Sequence, residues 1–121
     1  MRLFVAFFVA ALTMVACASE RVTGSQSNDL SNVVAAVDLK AGITQVQASA
    51  IAEWYFQHYI SGCGAVTEVS DKGDVWELTP LIGYAATPDP NPIIISKHSG
   101  EVSWKGGPAF ETTGQMLNKQ P

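Results

Sequence analysis

Two cysteines in 121 residues are too few for a disulfide scaffold or a Cys-rich zinc module. Charge is scarce too. Only 15% of the side chains are Asp, Glu, Lys or Arg, and acids outnumber bases 11 to 7, which is the wrong balance for binding a polyanion such as nucleic acid. The spacings that carry catalytic or metal chemistry are missing. There is no H-E-x-x-H, C-x-x-C or G-x-S-x-G, and Gly106-Gly107-Pro108 follows a strand pattern without a helix to open. Asp71-Lys72-Gly73-Asp74 lacks the later Glu of a calcium loop and reads as a turn. The sequence therefore points away from an enzyme, a metal centre or a cofactor site. What the chain does have is apolar content, 47% of its residues, and a length that suits one domain.

Part of that apolar content is an export signal. Met1-Arg2 is a basic start, 3–15 is nearly unbroken apolar sequence, and Val15-Ala16-Cys17 follows. A charged n-region, a short h-region and a small residue before the cut describe a secretory signal, too short for a spanning helix. The end of the run resembles a bacterial lipobox, with Met14 where Leu is usual. That resemblance implies cleavage after 1–16 and lipid on Cys17, hence membrane attachment in the cell envelope. Ala18, rather than Asp, follows the lipidated position and tilts placement toward an outer membrane facing the periplasm. Losing Arg2 leaves six basic against eleven acidic side chains, a net charge of −5, which suits a basic protein partner.

Residues 17–28 read as the lipidated Cys and a flexible tether around Gly24-Ser25-Gln26-Ser27. A single domain is expected over 29–108. In 29–38, Leu30, Val33, Val34 and Val37 fit a helix, and the Val cluster equally fits an edge strand. The next helix is sharply marked by a Thr44/Gln47 capping box behind Ile43. Its apolar face holds Ala48, Ile51, Ala52, Tyr55 and Tyr59, and Gly62 is its expected left-handed stop. Beyond Gly64 the period turns to two, with strands expected near 65–70, 75–79, 81–86, 92–97 and 101–105. Gly73 and Gly100 mark hairpin turns, Pro80 a strand end or edge bulge, and 87–92, with three prolines, a stiff surface loop. Residues 109–121 read as a loosely held tail or one short helix. The fold class is α+β: one amphipathic helix on a four- to five-stranded antiparallel β-meander, cystatin-like in arrangement.

The order Ala48-x-x-Ile51-Ala52-Glu53-x-Tyr55, Asp74-Val75-Trp76-Glu77-Leu78, then Asn91-Pro92-Ile93-Ile94-Ile95-Ser96-Lys97-His98-Ser99-Gly100-Glu101-Val102 resembles small bacterial immunity proteins. The similarity is to the immunity protein 35 type and to immunity proteins of the nuclear-transport-factor-2-like fold. PepSY domains are similar in their alternation of a helix with a tryptophan-bearing sheet. The resemblance covers about 44–108 and implies an inhibitor that occludes a toxin or envelope hydrolase. A PepSY-like module acting on a peptidase or an envelope assembly is the alternative, and a small-ligand domain with a cavity beneath Tyr55 and Tyr59 a second one. The Pro-rich 87–92 loop and Cys63 depart from these patterns.

Binding residues are sought among aromatics and stiff loops, because large rigid side chains dominate interface hot spots. Trp54, with His58 one turn on, is a candidate exposed anchor, or else covers the sheet's rim. Asp89 and Pro90 in the pre-stiffened loop are a second candidate contact, and Trp104 near a strand edge a third. The carboxylates Glu68, Asp71, Asp74, Glu77 and Asp89 would meet a basic partner or simply solvate an edge. Cys63 reads as a buried structural thiol, as a thiol that pairs between chains, or as a nucleophile served by His58 or His98.

Overall fold

Leu30, Val33 and Val34 recur at helical spacing, and the 29–38 segment is helix as far as Ala35 rather than an edge strand. In this computed structural model, which describes residues 25–119, helix α1 spans Ser25–Ala35. Leu30 is buried, and Val33, Val34 and Val37 pack against the core. The helix takes in 25–28, which the sequence assigned to a tether. Residues 1–24, with the signal segment and Cys17, lie outside the described residues.

Thr44 opens helix α2 (Gln45–Tyr55) as its sequence directs. Its Oγ1 accepts a hydrogen bond from the Gln47 amide at 3.2 Å, and Gln47 Oε1 accepts one from the Thr44 amide at 3.0 Å. Both donors would otherwise be left over by helix geometry. Ala48, Ile51, Ala52 and Tyr55 form the fully buried stripe. The helix then widens into a π-helical turn, Phe56–Ile60, in which the Ser61 amide donates to the Phe56 carbonyl at 2.9 Å. The stop differs from the expected left-handed Gly62. Ser61 leaves in extended geometry (φ −159°, ψ 141°), and the glycine with positive φ is Gly64 at +129°. A Cβ there would lie 2.0 Å from the Leu81 carbonyl oxygen, so β-sheet contact selects the residue, not helix capping.

The strands are antiparallel, short and divided between two sheets. Strand β1 (Gly64–Val66) is followed by β2 (Ser70–Asp71), β3 (Val75–Leu78), β4 (Pro80–Ile82), β5 (Thr87–Pro88), β6 (Ile93–Ser96) and β7 (Val102–Ser103). Sheet orders are β1-β4-β5 and β2-β3-β6-β7. The α+β class, a helix packed on an antiparallel β-meander, is what the structure shows. Pro80 is where the chain leaves the second sheet for the first. Its missing N–H is harmless at a strand's first residue, and its carbonyl accepts from the Asp89 amide at 2.8 Å. Gly73 and Gly100 have φ of +86° and +74° at their hairpin turns, as the sequence requires. Thr87-Pro88 is an edge strand, so the stiff loop proper is shorter than 87–92.

Along β3, β6 and β7 side chains alternate between faces. Leu78, Ile93, Ile95 and Val102 are buried against the helices, while Glu77, Ile94 and Ser103 form a row across the other face, paired Glu77 to Ile94 and Ile94 to Ser103. Helix α2 contacts β1, β3 and β6. The segment after 108 is no loose tail. Phe110 and Val102 exchange backbone hydrogen bonds at 2.9 and 3.0 Å. Helix α3 (Thr113–Asn118), capped by Thr112, then buries Thr113 and Met116. The domain thus reaches beyond the expected boundary at 108.

A candidate binding groove beside Trp104

Trp104 follows the edge strand β7 and is held on several sides. Its Nε1 donates to the Asn91 carbonyl at 3.0 Å. The chain then folds back over the indole. A Cβ on Gly106 would sit 2.5 Å from the ring, and one on Gly107 would come within 2.7 Å of the Tyr55 hydroxyl. The Gly106-Gly107 pair is therefore a seat for Trp104, not a phosphate loop. Tyr55 fixes the end of that seat by donating a 2.6 Å hydrogen bond to the Pro108 carbonyl. Burial, reinforced by neighbouring Tyr59, pushes the Tyr55 phenol up to about 12, so it stays a donor across the physiological range.

The loop opposite is equally fixed. The Asn91 amide donates to Asp89 Oδ1 at 2.7 Å, an Asx turn with Pro90 between the two residues. Asn91, Pro92, Ile94, Ser103, Trp104 and Lys105 line an open groove of about 380 Å³. Its floor is the Ile94–Ser103 cross-strand pair. One wall is the half-buried indole, the other the proline segment, and Lys105 brings a cation to its lining.

Of the expected contact residues, Trp104 lines the groove, while Asp89 and Pro90 precede its lining residues Asn91 and Pro92 without lining it themselves. Asp89 spends its carboxylate on the turn. Trp54 is not an exposed anchor. It is 6% exposed and belongs to the buried core cluster that α1 also joins through Leu30. His58, exposed, stacks on Trp54 with centroids 3.8 Å apart and planes at 17°, and its Nδ1 lies 2.8 Å from the Trp54 carbonyl. Neither residue lines the groove.

Other expected sites resolve differently. Asp71 pairs with Lys97 at 2.6 Å. That hydrogen bond, followed by one from the Gly73 amide, holds its carboxyl below the ordinary value. The same ammonium sits 4.1 Å over the Trp76 ring. Cys63 is half-buried and disulfide-bonded in this structure, so here it is neither the inert buried thiol nor the nucleophile. The space beneath Tyr55 and Tyr59, where a ligand cavity was to be sought, holds Phe110, whose ring lies 6.3 and 5.5 Å from theirs. Among the described residues, no three His, Cys, Asp or Glu side chains converge as metal ligands, and no helix is long and apolar enough to cross a membrane.

Sequence reasoning missed the groove as a unit. Its floor residues Ile94 and Ser103 are apolar and small, and nothing local marks them as partners. The signal was the strand register: once Gly100 is taken as the turn, Ile94 falls opposite Ser103. No family model, curated protein or solved structure matches this chain.

Proposed function

We propose that the chain is an envelope-anchored binding module that occludes a protein partner, an immunity-type inhibitor of a toxin or envelope hydrolase. The observation that carries the reading is the preformed groove. Trp104, clamped by Asn91 and the glycine seat, faces a proline-stiffened segment, so binding orders few side chains. The resemblance of 44–108 to immunity proteins supports the inhibitor role, and the net charge of −5 after loss of 1–16 favours a basic partner surface. Lipid on Cys17 would hold the inhibitor where an incoming toxin arrives. Lipid on that sulfur and an intrachain bridge to Cys63 exclude each other, since the chain has two cysteines. The lipidated form therefore needs Cys63 reduced or bridged to another chain.

The test is expression of the full chain with a C-terminal tag in its source cells, chemical crosslinking, and mass spectrometry of what is retained. A single stoichiometric partner with a toxin or hydrolase domain, whose activity the chain blocks, is the expected result. Recovery of abundant envelope proteins alone would overturn the reading.

A further inference from the structure

We infer that the groove beside Trp104 receives an extended polypeptide segment of the partner in which an Asp or Glu stands next to an apolar side chain. The inference rests on the binding-module reading and adds the chemistry of what enters. The apolar side chain covers Ile94 and the Trp104 indole, and the carboxylate beside it meets the Lys105 ammonium.

The opening is a break in the β6–β7 ladder. Ile94 pairs with Ser103, so the antiparallel register sets Pro92 opposite Lys105. Proline has no N–H to donate, and no backbone hydrogen bond joins Pro92 to Lys105. The ladder ends at the Ile94–Ser103 pair, and the groove lies where it would have continued. The backbone of Lys105 is thereby left without its ladder partner, a position that an incoming extended chain can take.

The polar side chains of the lining are unspent. Asn91 uses its main chain on Asp89 and Trp104, but its side-chain amide bonds to no described residue. Neither does the Ser103 hydroxyl nor the Lys105 ammonium, in contrast to Lys97, which is paired with Asp71. An amide offers a donor and an acceptor side by side, the complement of a peptide group, whereas an ammonium offers donors alone. Asn91 therefore suits the backbone of an entering chain, and Lys105, exposed and unpaired, suits an anion. Ile94, Pro92 and the indole between them are apolar and half-buried, so the side chain that lies on them is apolar too. In a chain of net charge −5 the overall field draws a basic partner, and the carboxylate at Lys105 fixes where that partner docks.

The probe is a random peptide library displayed on phage and panned against the purified full chain. Enriched sequences should place Asp or Glu beside Leu, Ile, Phe or Tyr. A synthetic peptide of the enriched sequence, blocked at both ends, should shift the NMR signals of Ile94, Ser103 and the Trp104 indole. Its Kd should weaken roughly tenfold in Lys105→Glu, and replacing the peptide's acid by Lys should restore binding to that variant. Lys72→Glu, the same charge change on an exposed residue outside the groove, should alter the Kd by no more than about twofold. No enriched sequence, signal shifts away from the groove, or equal binding by Lys105→Glu overturns the segment assignment. A toxin or hydrolase partner in the crosslinking assay would still leave the binding-module reading standing. Failure of both assays removes both.

Discussion

The indole Nε1 of Trp76 donates a 2.7 Å hydrogen bond to the carbonyl of Ile43, joining the middle of the larger sheet to the residue that precedes the α2 cap. Ile43 is 2% exposed, and its amide in turn donates to the Lys97 carbonyl at 2.8 Å. Sheet and helix start are thus pinned through both backbone polar groups of one residue. Trp76→Phe should retain the packing but strand the Ile43 carbonyl away from water, costing about 1–3 kcal/mol. Urea denaturation of the variant should show a lower midpoint at an unchanged slope. An unaltered midpoint would mean that the bond contributes nothing net.

Asp71 and Lys97 give the same region an acid limb. The folded carboxyl is held below its ordinary value, chiefly by Lys97 and then by the Gly73 amide. A depressed folded value means that the contribution is present above the unfolded value of about 4 and is lost as pH falls through the folded one. Asp71→Asn should therefore lower Tm slightly at neutral pH and bring the two melting curves together below about pH 4. Because Asp71 is exposed, the neutral-pH difference should also shrink in high salt. Melting temperatures between pH 2 and 7, with and without added salt, check both.

Two glycines with positive φ separate backbone strain from collision. Gly73, at φ +86°, would place a Cβ in open space, while Gly64, at φ +129°, would drive one to 2.0 Å from the Leu81 oxygen and 2.9 Å from the Phe56 ring. Gly73→Ala should cost about 1 kcal/mol. Gly64→Ala should exceed about 3 kcal/mol or abolish folding, since β1 can no longer approach β4. Equal losses in the two variants would show that the close approach of β1 to β4 is not rigid.

These positions also show which parts of the structure the residues themselves disclosed. The α2 cap was legible because Thr44 and Gln47 are three residues apart and bond reciprocally to each other. The Gly73 and Gly100 turns were legible for the same reason of locality. The role of Gly64 was not, because the atom that forbids a side chain there belongs to Leu81, on a strand paired later in the chain. The burial of Met116 and Phe110 was hidden likewise. The sequence after Pro108 is short and polar in alternation, and only the Val102–Phe110 bridge turns it toward the core. In the groove, Trp104 and the proline segment were visible as separate features. Their union depends on the Asn91 carbonyl, which carries no sequence signature.

Cys63 offers a chemical reading of how the chain is processed. A disulfide-bonded Cys63 should resist maleimide labelling until a reductant is added. If Cys17 carries lipid, intact mass spectrometry of the membrane fraction should show an acylated species lacking 1–16, and an intrachain bridge should be absent from it. Labelled Cys63 in acylated chains would mean a reduced thiol, while a reductant-sensitive dimer would mean a bridge between chains. An unacylated chain with both cysteines protected until reduction would remove the lipoprotein assignment.

Trp54 provides the clearest separation of core from contact surface. Its position beside the helix stripe made it a plausible exposed anchor, but at 6% exposure, with His58 stacked at 3.8 Å and Tyr59 edge-on at 6.0 Å, it is a packing residue. Trp54→Ala should therefore destabilise the fold by about 3–5 kcal/mol, whether or not a partner is present. His58→Ala removes an exposed ring and should cost less than about 1 kcal/mol. Trp104→Ala gives the contrast. It also empties the glycine seat and lowers stability, yet it removes a groove wall, so partner affinity should fall further than the stability loss accounts for. Binding measured well below each variant's melting temperature makes the distinction. Folded Trp54→Ala should bind as wild type does and folded Trp104→Ala should not, and the reverse order would move the contact surface from the groove to the α2 helix.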